Sequence, residues 1–408
     1  MPNGPLQNVR IIELGHVIAG PLAATLLADF GADVIKVERP DGGDMMRDLG
    51  PKADDGVGVW WKTLARNKRL IALDWKTGEG RKILRTLVES AQVLIENFRP
   101  GVLERAGVGP EILHQWNPDL VILRVSGYGQ SGPFVKLPAF GRAAEAMSGL
   151  PHLTGPADGA PVHPGFPAAD STTGLMGALG IMMALFANKD TGAGGQVIDL
   201  AVFETIFRLI DYHVPALTGA GLSAKRNGSR QPLDFAPGGM FQTQDSVWIT
   251  ISAGSAETAQ RLLRAAGGDE WANQSRFSSM VGITGNMEEI SQKLDSYISK
   301  RNFEQVQEEF RKHDAVAARV LNMEEILAHP QINHRGDIVE VENEKTQVVG
   351  PIPHMDKTPG SIKWLGKGLI GADTQSVLQQ AGLSDSEINQ LADNNIIAIS
   401  QNSKGQEK

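Results

Sequence analysis

The sequence predicts an α/β chain built on a mostly parallel sheet, with a second, smaller α/β domain placed late in the chain. Three observations predict it. Short β-branched runs alternate with helical stretches of roughly ten to fifteen residues through the first third. At 408 residues the chain is too long for one ordinary core. Gly, Ser, Arg and Pro accumulate between Gly219 and Gly239, and a fresh strand-and-helix pattern begins after them.

The elements follow in order. Residues 9–14 (VRIIEL) read as the first strand, and 21–30 carry apolar residues at helical spacing. Strands follow at 33–38 (DVIKVE), 69–74 (RLIALD), 91–96 (AQVLIE) and 120–126 (LVILRVS), with polar helical stretches between them. Parallel strands need such crossovers. A small-residue helix is predicted over 171–185, directly after Asp170, with Gly174, Gly177 and Gly180 recurring every third residue. Each glycine costs a helix interior about 1 kcal/mol against alanine, so another backbone or a ligand is expected to approach closely there. Residues 196–200 (QVIDL) read as a further strand that enters a helix near Phe203 and Glu204. Residues 1–220 form the expected large domain and 225–325 the smaller one, with a strand at 247–251 and helices at 258–266, 287–299 and 303–313. Residues 330–400 return to the large domain through a strand at 337–341 and a late helix at 384–391.

Composition excludes several classes. With 41% hydrophobic and 21% charged residues the chain reads as globular. No apolar run reaches eighteen residues, and the longest candidate, 175–187, falls short, so no membrane span is expected. The opening MPNGP has no charged or apolar signal region, which leads to an expected cytoplasmic location. The absence of cysteine removes disulfides, thiolate metal sites and thiol nucleophiles. A net charge of −8 argues against non-specific nucleic-acid binding, and requires any polyanionic ligand to be met by locally gathered cations.

Gly127-x-Gly129-x-x-Gly132 follows a strand but runs into Pro133 with no apolar helix, so it does not support a dinucleotide site. The nine histidines form no HExxH or other i, i+4 pair, so no metal site is expected. No G-x-S-x-G elbow occurs either, which leaves carboxylates as the candidates for covalent chemistry. Asp170, in PAADSTTG, stands at the head of the glycine-containing helix. There the helix dipole favours its anion, a nucleophile. A plain N-cap is the other reading.

A series of motifs in fixed order settles more: VRIIELGHVIAGPLAATLLADFGADVIKVERPDGGD (9–44), NKRLIALDWKTGEG (67–80), LIENFRPGVLERAG (94–107), VSGYGQSGP (125–133), AMSGL (146–150), ADSTTG (169–174), GAGGQVIDLAVFE (192–204), HPQINHRG (329–336) and LQQAGLSDSEINQL (378–391). Through these the chain resembles the class III CoA transferases, the family of formyl-CoA transferase, carnitine CoA transferase and α-methylacyl-CoA racemase. The resemblance implies a Rossmann-like large domain assembled from both chain ends and an interlocked homodimer. It implies acyl-CoA and a small carboxylic acid as substrates, with no tightly bound cofactor. It places the nucleophile at Asp170, which would pass through a mixed anhydride and a β-aspartyl-CoA thioester.

By position, the resemblance also implies CoA contacts at His16, Arg39, Lys76, Asn97, Phe98, Val102, Arg105 and Phe140. Arg39, Lys76 and Arg105 would meet phosphates, and Phe98 the adenine or the pantetheine arm; surface salt bridging is the alternative for the cations. Gly238-Gly239 stands where some members carry a longer glycine loop that closes over the aspartate. Ile18 replaces a glutamine of formyl-CoA transferase, which argues against formyl and oxalyl groups. The racemase branch places a histidine just before its AMSG-like segment, where this chain reads Ala139-Phe140-Gly141-Arg142. A phenylalanine is no base, so transfer is favoured over racemisation, with a non-catalytic CoA-binding protein as the remaining alternative. Arg142 offers a bidentate fork for the distal carboxylate of a dicarboxylic acid such as succinate, or it pairs with Glu145 on its own helix.

Overall fold

A computed structural model describes residues 4–230, 232–233 and 235–400 of the protein. Its main sheet contains β1 (Arg10–Glu13), β2 (Asp33–Glu38), β3 (Lys68–Leu73), β4 (Val93–Glu96), β5 (Val121–Ser126) and β6 (Val197–Ala201). They lie in the order β3-β2-β1-β4-β5-β6, all parallel, and Ile397–Ala398 adds an antiparallel edge beside β3. This is the doubly wound arrangement, in which chain order reverses between β1 and β4 and leaves a crevice at their carboxyl ends.

The apolar runs are continuous because both sheet faces are covered. On one face Ile12, Ile35, Leu94 and Ile122 pack with Ile83, Leu84, Leu87 and Val88 of the helix Gly78–Glu89. That helix begins where the Thr77 hydroxyl accepts the Gly80 N–H. Leu123 points the other way, toward the long helix Ala168–Thr191. Gly174 and Gly177 of that helix answer the close approach expected from the sequence. A Cβ at 174 would lie 2.7 Å from Leu22, and one at 177 would lie 2.9 Å from Leu123. The helix Ala19–Asp29 therefore nests directly on the longer helix.

The longer helix departs from expectation in extent. Its 24 residues are long and apolar enough to cross a membrane, whereas the sequence reading stopped it short. Thr173, Gly174, Gly177, Ile181 and Ala184 are buried against the sheet and its neighbours. Leu175, Leu179, Met183 and Phe186 remain exposed.

The chain divides into two compact units. The larger takes everything up to Ser148, then Phe166–Arg208 and the chain from Pro330 on; the smaller takes Gly149–Gly165 and Leu209–His329. Residues 149–165 join the smaller unit through local bonds that sequence spacing does not reveal. Gly228 N–H donates to Gly155 O, and Arg226 donates to His152 O. Within it β7 (Gly238–Gln242), β8 (Trp248–Ser252) and β9 (Ala317–Arg319) form an antiparallel sheet. The helices Ala256–Ala272, Met287–Ile298 and Phe303–Lys312 cover it around Ile249, Leu263, Leu294 and Phe310. Capping boxes at Ser255 and Asn302 start two of those helices.

The sheet of the larger unit carries charge in its interior. Glu13 (0% exposed) receives Lys36 Nζ at 2.9 Å and Lys68 Nζ at 2.6 Å. Lys36 also reaches Asp44 at 2.9 Å. Burial opposes the charge on Lys36, but Glu13, Asp44 and Glu38 outweigh it and raise its pKa. Lys68 is pulled down to about 8 by burial, with Glu13 opposing and Lys36 adding to the fall. Removing one member of such a network leaves the others buried and uncompensated. Glu13→Gln is expected to lower unfolding free energy by roughly 3–5 kcal/mol in urea titrations. A loss below about 1 kcal/mol, the range of a solvated pair, would show that water relieves the two lysines.

Candidate active site

The crevice between β1 and β4 is shaped by one side chain. Asn97, just past β4, accepts the His16 N–H through Oδ1 and donates to His16 O through Nδ2, both at 2.7 Å. Loop 15–18 after β1 is thus held by a two-point clamp. It is held again from β2, where Lys36 Nζ donates to Gly15 O at 2.8 Å. Val17 adopts φ +65°, a left-handed conformation that costs a β-branched residue about 1–3 kcal/mol. Its N–H donates to Asp44 Oδ1 at 3.3 Å. Burial pushes the Asp44 carboxyl up, but Lys36 and His16 outweigh it and hold it well below the usual carboxylate range. Asp44 stays an anion, and the strained loop stays bonded.

Of the residues that the resemblance assigns to CoA, all but Phe140 follow closely on the carboxyl ends of parallel strands: His16 after β1, Arg39 after β2, Lys76 after β3, and Asn97, Phe98, Val102 and Arg105 after β4; the substrate-side candidate Ile18 also follows β1. Open α/β sheets bind ligands along this edge. Phe98 lies edge-on to His16 at 5.4 Å and tilted against Trp75 at 5.6 Å, and Lys76 Nζ sits 5.5 Å from the Trp75 ring. Arg39, Lys76 and Arg105 are exposed. Arg39 faces Asp41, at 3.7 Å from its carboxylate and 3.3 Å from its carbonyl oxygen. Arg105 lies over Gly101, where a Cβ would meet Nη1 at 2.7 Å. Val102 and Phe98 rest partly buried on the core. Asn97 spends its carboxamide oxygen and an N–H on His16, so its visible work is to shape the loop.

A cavity of about 160 Å³ opens at this edge, walled by His16–Ala19, Asn97, Val125–Gly127, Ala139–Gly141, Asp170 and Val202. Ile18 is buried in its wall and packs toward Met46 and Trp61. Phe140, at its mouth, is 75% exposed. Gly238-Gly239 belongs to the other unit, where it opens β7 as paired strand rather than as a free loop.

Asp170 differs from its expected setting in two ways. The N-cap of its helix is Pro167, so Asp170 lies inside the first turn and caps nothing. Its pKa is raised to about 6, by burial and by the Glu145 carboxylate, with Arg142 pulling it back. The carboxylate rests on Gly141, where a Cβ would come within 2.5 Å of Oδ2. Arg142 donates to Glu145 at 2.9 Å while 51% of its side chain stays exposed, so the helical pair is formed. Gly141, Glu145, Asp44 and Val17 were not legible as site residues. A glycine beside Arg142 and a carboxylate three residues beyond were the only local signals.

Residues 6–374 match the family model described as CoA-transferase family III. The chain is 36% identical over 399 residues to the succinyl-CoA–L-malate CoA-transferase beta subunit of Chloroflexus aurantiacus, covering 96% of this chain and 98% of that protein. It is 32% identical over 357 residues to the succinate–glutarate CoA-transferase of Agrobacterium fabrum, covering 86% and 88%. The crystal structure of a CaiB/BaiF family protein from Brucella suis superposes with a TM-score of 0.81 at 27% identity, covering 93% of this chain and 100% of that one.

The raised pKa of Asp170 sets a stability trend. The folded state binds the proton more tightly than the unfolded one, so stability is full below the ordinary value of 3.8 and is lost as pH rises through about 6. Asp170→Asn escapes that loss. Thermal unfolding is expected to show the variant gaining on wild type between those values and keeping a constant lead above them. Equal melting temperatures at pH 8 would contradict the raised value.

Proposed function

The chain belongs to CoA-transferase family III, and on that premise we propose that it exchanges CoA between a small dicarboxylic acid such as succinate and a second carboxylic acid, with Asp170 as nucleophile. The observation that carries the proposal is the placement of Asp170 in the wall of a small cavity at the switch point of the sheet. The relatives named for succinyl-CoA, L-malate, succinate and glutarate support a dicarboxylate partner. Arg142, half its side chain exposed and next in sequence to Gly141 of the cavity wall, suits a distal carboxylate.

The steps follow from the groups present. A carboxylate oxygen of Asp170 attacks the thioester carbonyl, whose π electrons move onto its oxygen. Collapse breaks the C–S bond, CoA leaves as a thiolate, and an acyl-aspartyl anhydride remains. The thiolate then attacks the Asp170 carbonyl and expels the donor carboxylate, which leaves an aspartyl-CoA thioester. The acceptor carboxylate reverses the sequence, and no net proton moves. Splitting one exchange into several displacements lowers each barrier. Each oxyanion needs donors. The helix Ala19–Asp29 begins at Ile18 with no side-chain cap, so its first N–H groups lie at the cavity wall as candidates. Arg39, Lys76 and Arg105 are assigned to the phosphates, His16 and Phe98 to the body of CoA. In an acidic protein they are the cations gathered along this edge.

A homodimer is part of the same proposal. Its support is the exposed apolar row Leu175, Leu179, Met183 and Phe186 on the Asp170 helix.

Incubation with succinyl-CoA, followed by hydroxylamine trapping and intact-mass spectrometry, is expected to reveal an adduct in wild type that is absent from Asp170→Ala. An unchanged adduct in the variant would exclude Asp170. With Arg142→Ala, dicarboxylate acceptors are expected to lose about tenfold or more in kcat/KM relative to monocarboxylates; equal losses would remove Arg142 from recognition. Light scattering should give twice the chain mass, and a single chain mass would end the dimer proposal.

A further inference from the structure

Glu145 is a wholly buried acid beside Asp170, and neither the relay nor substrate binding uses it. It sits in the helix Gly141–Ser148 with Ala144 and Ser148 on the buried side. Oε1 accepts the N–H of Ala169, in the first turn of the Asp170 helix, at 3.4 Å, and Oε2 takes Arg142 Nη1 at 2.9 Å. The same helix presents Gly141, against which the Asp170 carboxylate lies.

We propose that Glu145 is a positioning residue: its carboxylate ties the first turn of the Asp170 helix and the Arg142 side chain to one point, so that Asp170 meets the cavity between a fixed negative and a fixed positive group. This rests on the nucleophilic role of Asp170 proposed above. Packing alone does not call for the charge. A glutamine has the same shape and would also accept the Ala169 N–H, whereas a buried carboxylate has to be compensated. What the charge adds is its field on Asp170. A more basic carboxylate is a stronger nucleophile toward the thioester, and the Arg142 charge limits how far its ionisation is suppressed.

The other charged groups around Asp170 are occupied elsewhere. His16 shares the cavity but faces Asp44 at 3.7 Å. Arg124 of β5 is paired with Glu96 and Glu104. Glu204, on the helix Val202–Leu209, accepts the N–H of Ala201. The helix Ala19–Asp29 bears its one charge at the far end, where Asp29 pairs with Arg66.

The test is carboxyl ¹³C NMR of aspartate-labelled protein, with the Asp170 signal assigned by its loss in Asp170→Asn. Wild type is expected to titrate near 6. Glu145→Gln should lower that midpoint by about half a pH unit or more, and Arg142→Gln should raise it. The acid limb of kcat/KM should move with each. A purely structural Glu145 would change melting temperature without moving the midpoint, and an unmoved midpoint in folded Glu145→Gln overturns the proposal. Should Glu145→Gln lose its near-ultraviolet circular dichroism, the double variant Arg142→Gln/Glu145→Gln, which leaves neither charge of the pair behind, is compared with Arg142→Gln, and a midpoint no lower in the double variant overturns the proposal. The titration needs no substrate. An absent hydroxylamine adduct in wild type would therefore refute the transfer reaction while leaving the titration result to judge Glu145.

Discussion

Two lysines and one glutamate buried in the main sheet bind its strands to its reactive edge. Glu13 and Lys36 are register partners on β1 and β2, and Lys68 brings β3 into the same group. Charges in such surroundings are costly unless every hydrogen-bonding site is filled. Here the filling is done by the site itself: Lys36 reaches Gly15 O and Asp44, and Lys68 reaches Pro21 O at 2.8 Å. The loop that walls the cavity is therefore part of the compensation for the buried charges. Its left-handed Val17 is tolerated because that framework over-determines it.

The second constraint is proximity. The Asp170 helix approaches the sheet and its neighbouring helix only because Gly174 and Gly177 present no side chains there. Gly141 clears the space for the Asp170 carboxylate in the same manner. Small residues thus fix where Asp170 lies, and charged ones fix its state. An acid at the start of a helix is ordinarily favoured as the anion; here burial and Glu145 raise its pKa. In the proposed relay a more basic carboxylate is the stronger nucleophile, and the raised pKa costs the fold some stability at neutral pH.

Much of the architecture was legible because its causes are local. Apolar runs of five to seven residues between helical stretches identified β1 to β6 to within two residues, and Thr77, Ser255 and Asn302 start helices by local capping. The edge pairing of Ile397–Ala398 and the membership of 149–165 in the smaller unit were not legible. Both depend on partners far away in the chain, at Leu73 and at Gly228.

For the site, the sequence by itself determined the inventory: an aspartate before a glycine-rich helix, cations and an aromatic placed just after strands, and no cysteine to compete with carboxylate chemistry. Those are properties of residue type and of order along the chain. Tertiary structure alone decided what surrounds each group. It made Asn97 a clamp on the His16 backbone, moved Asp170 inside its helix rather than at the cap, and set Glu145 and Gly141 against it. The physical reason is that burial, field and close approach arise between segments that sequence spacing does not bring together, and these quantities set the state of a carboxylate.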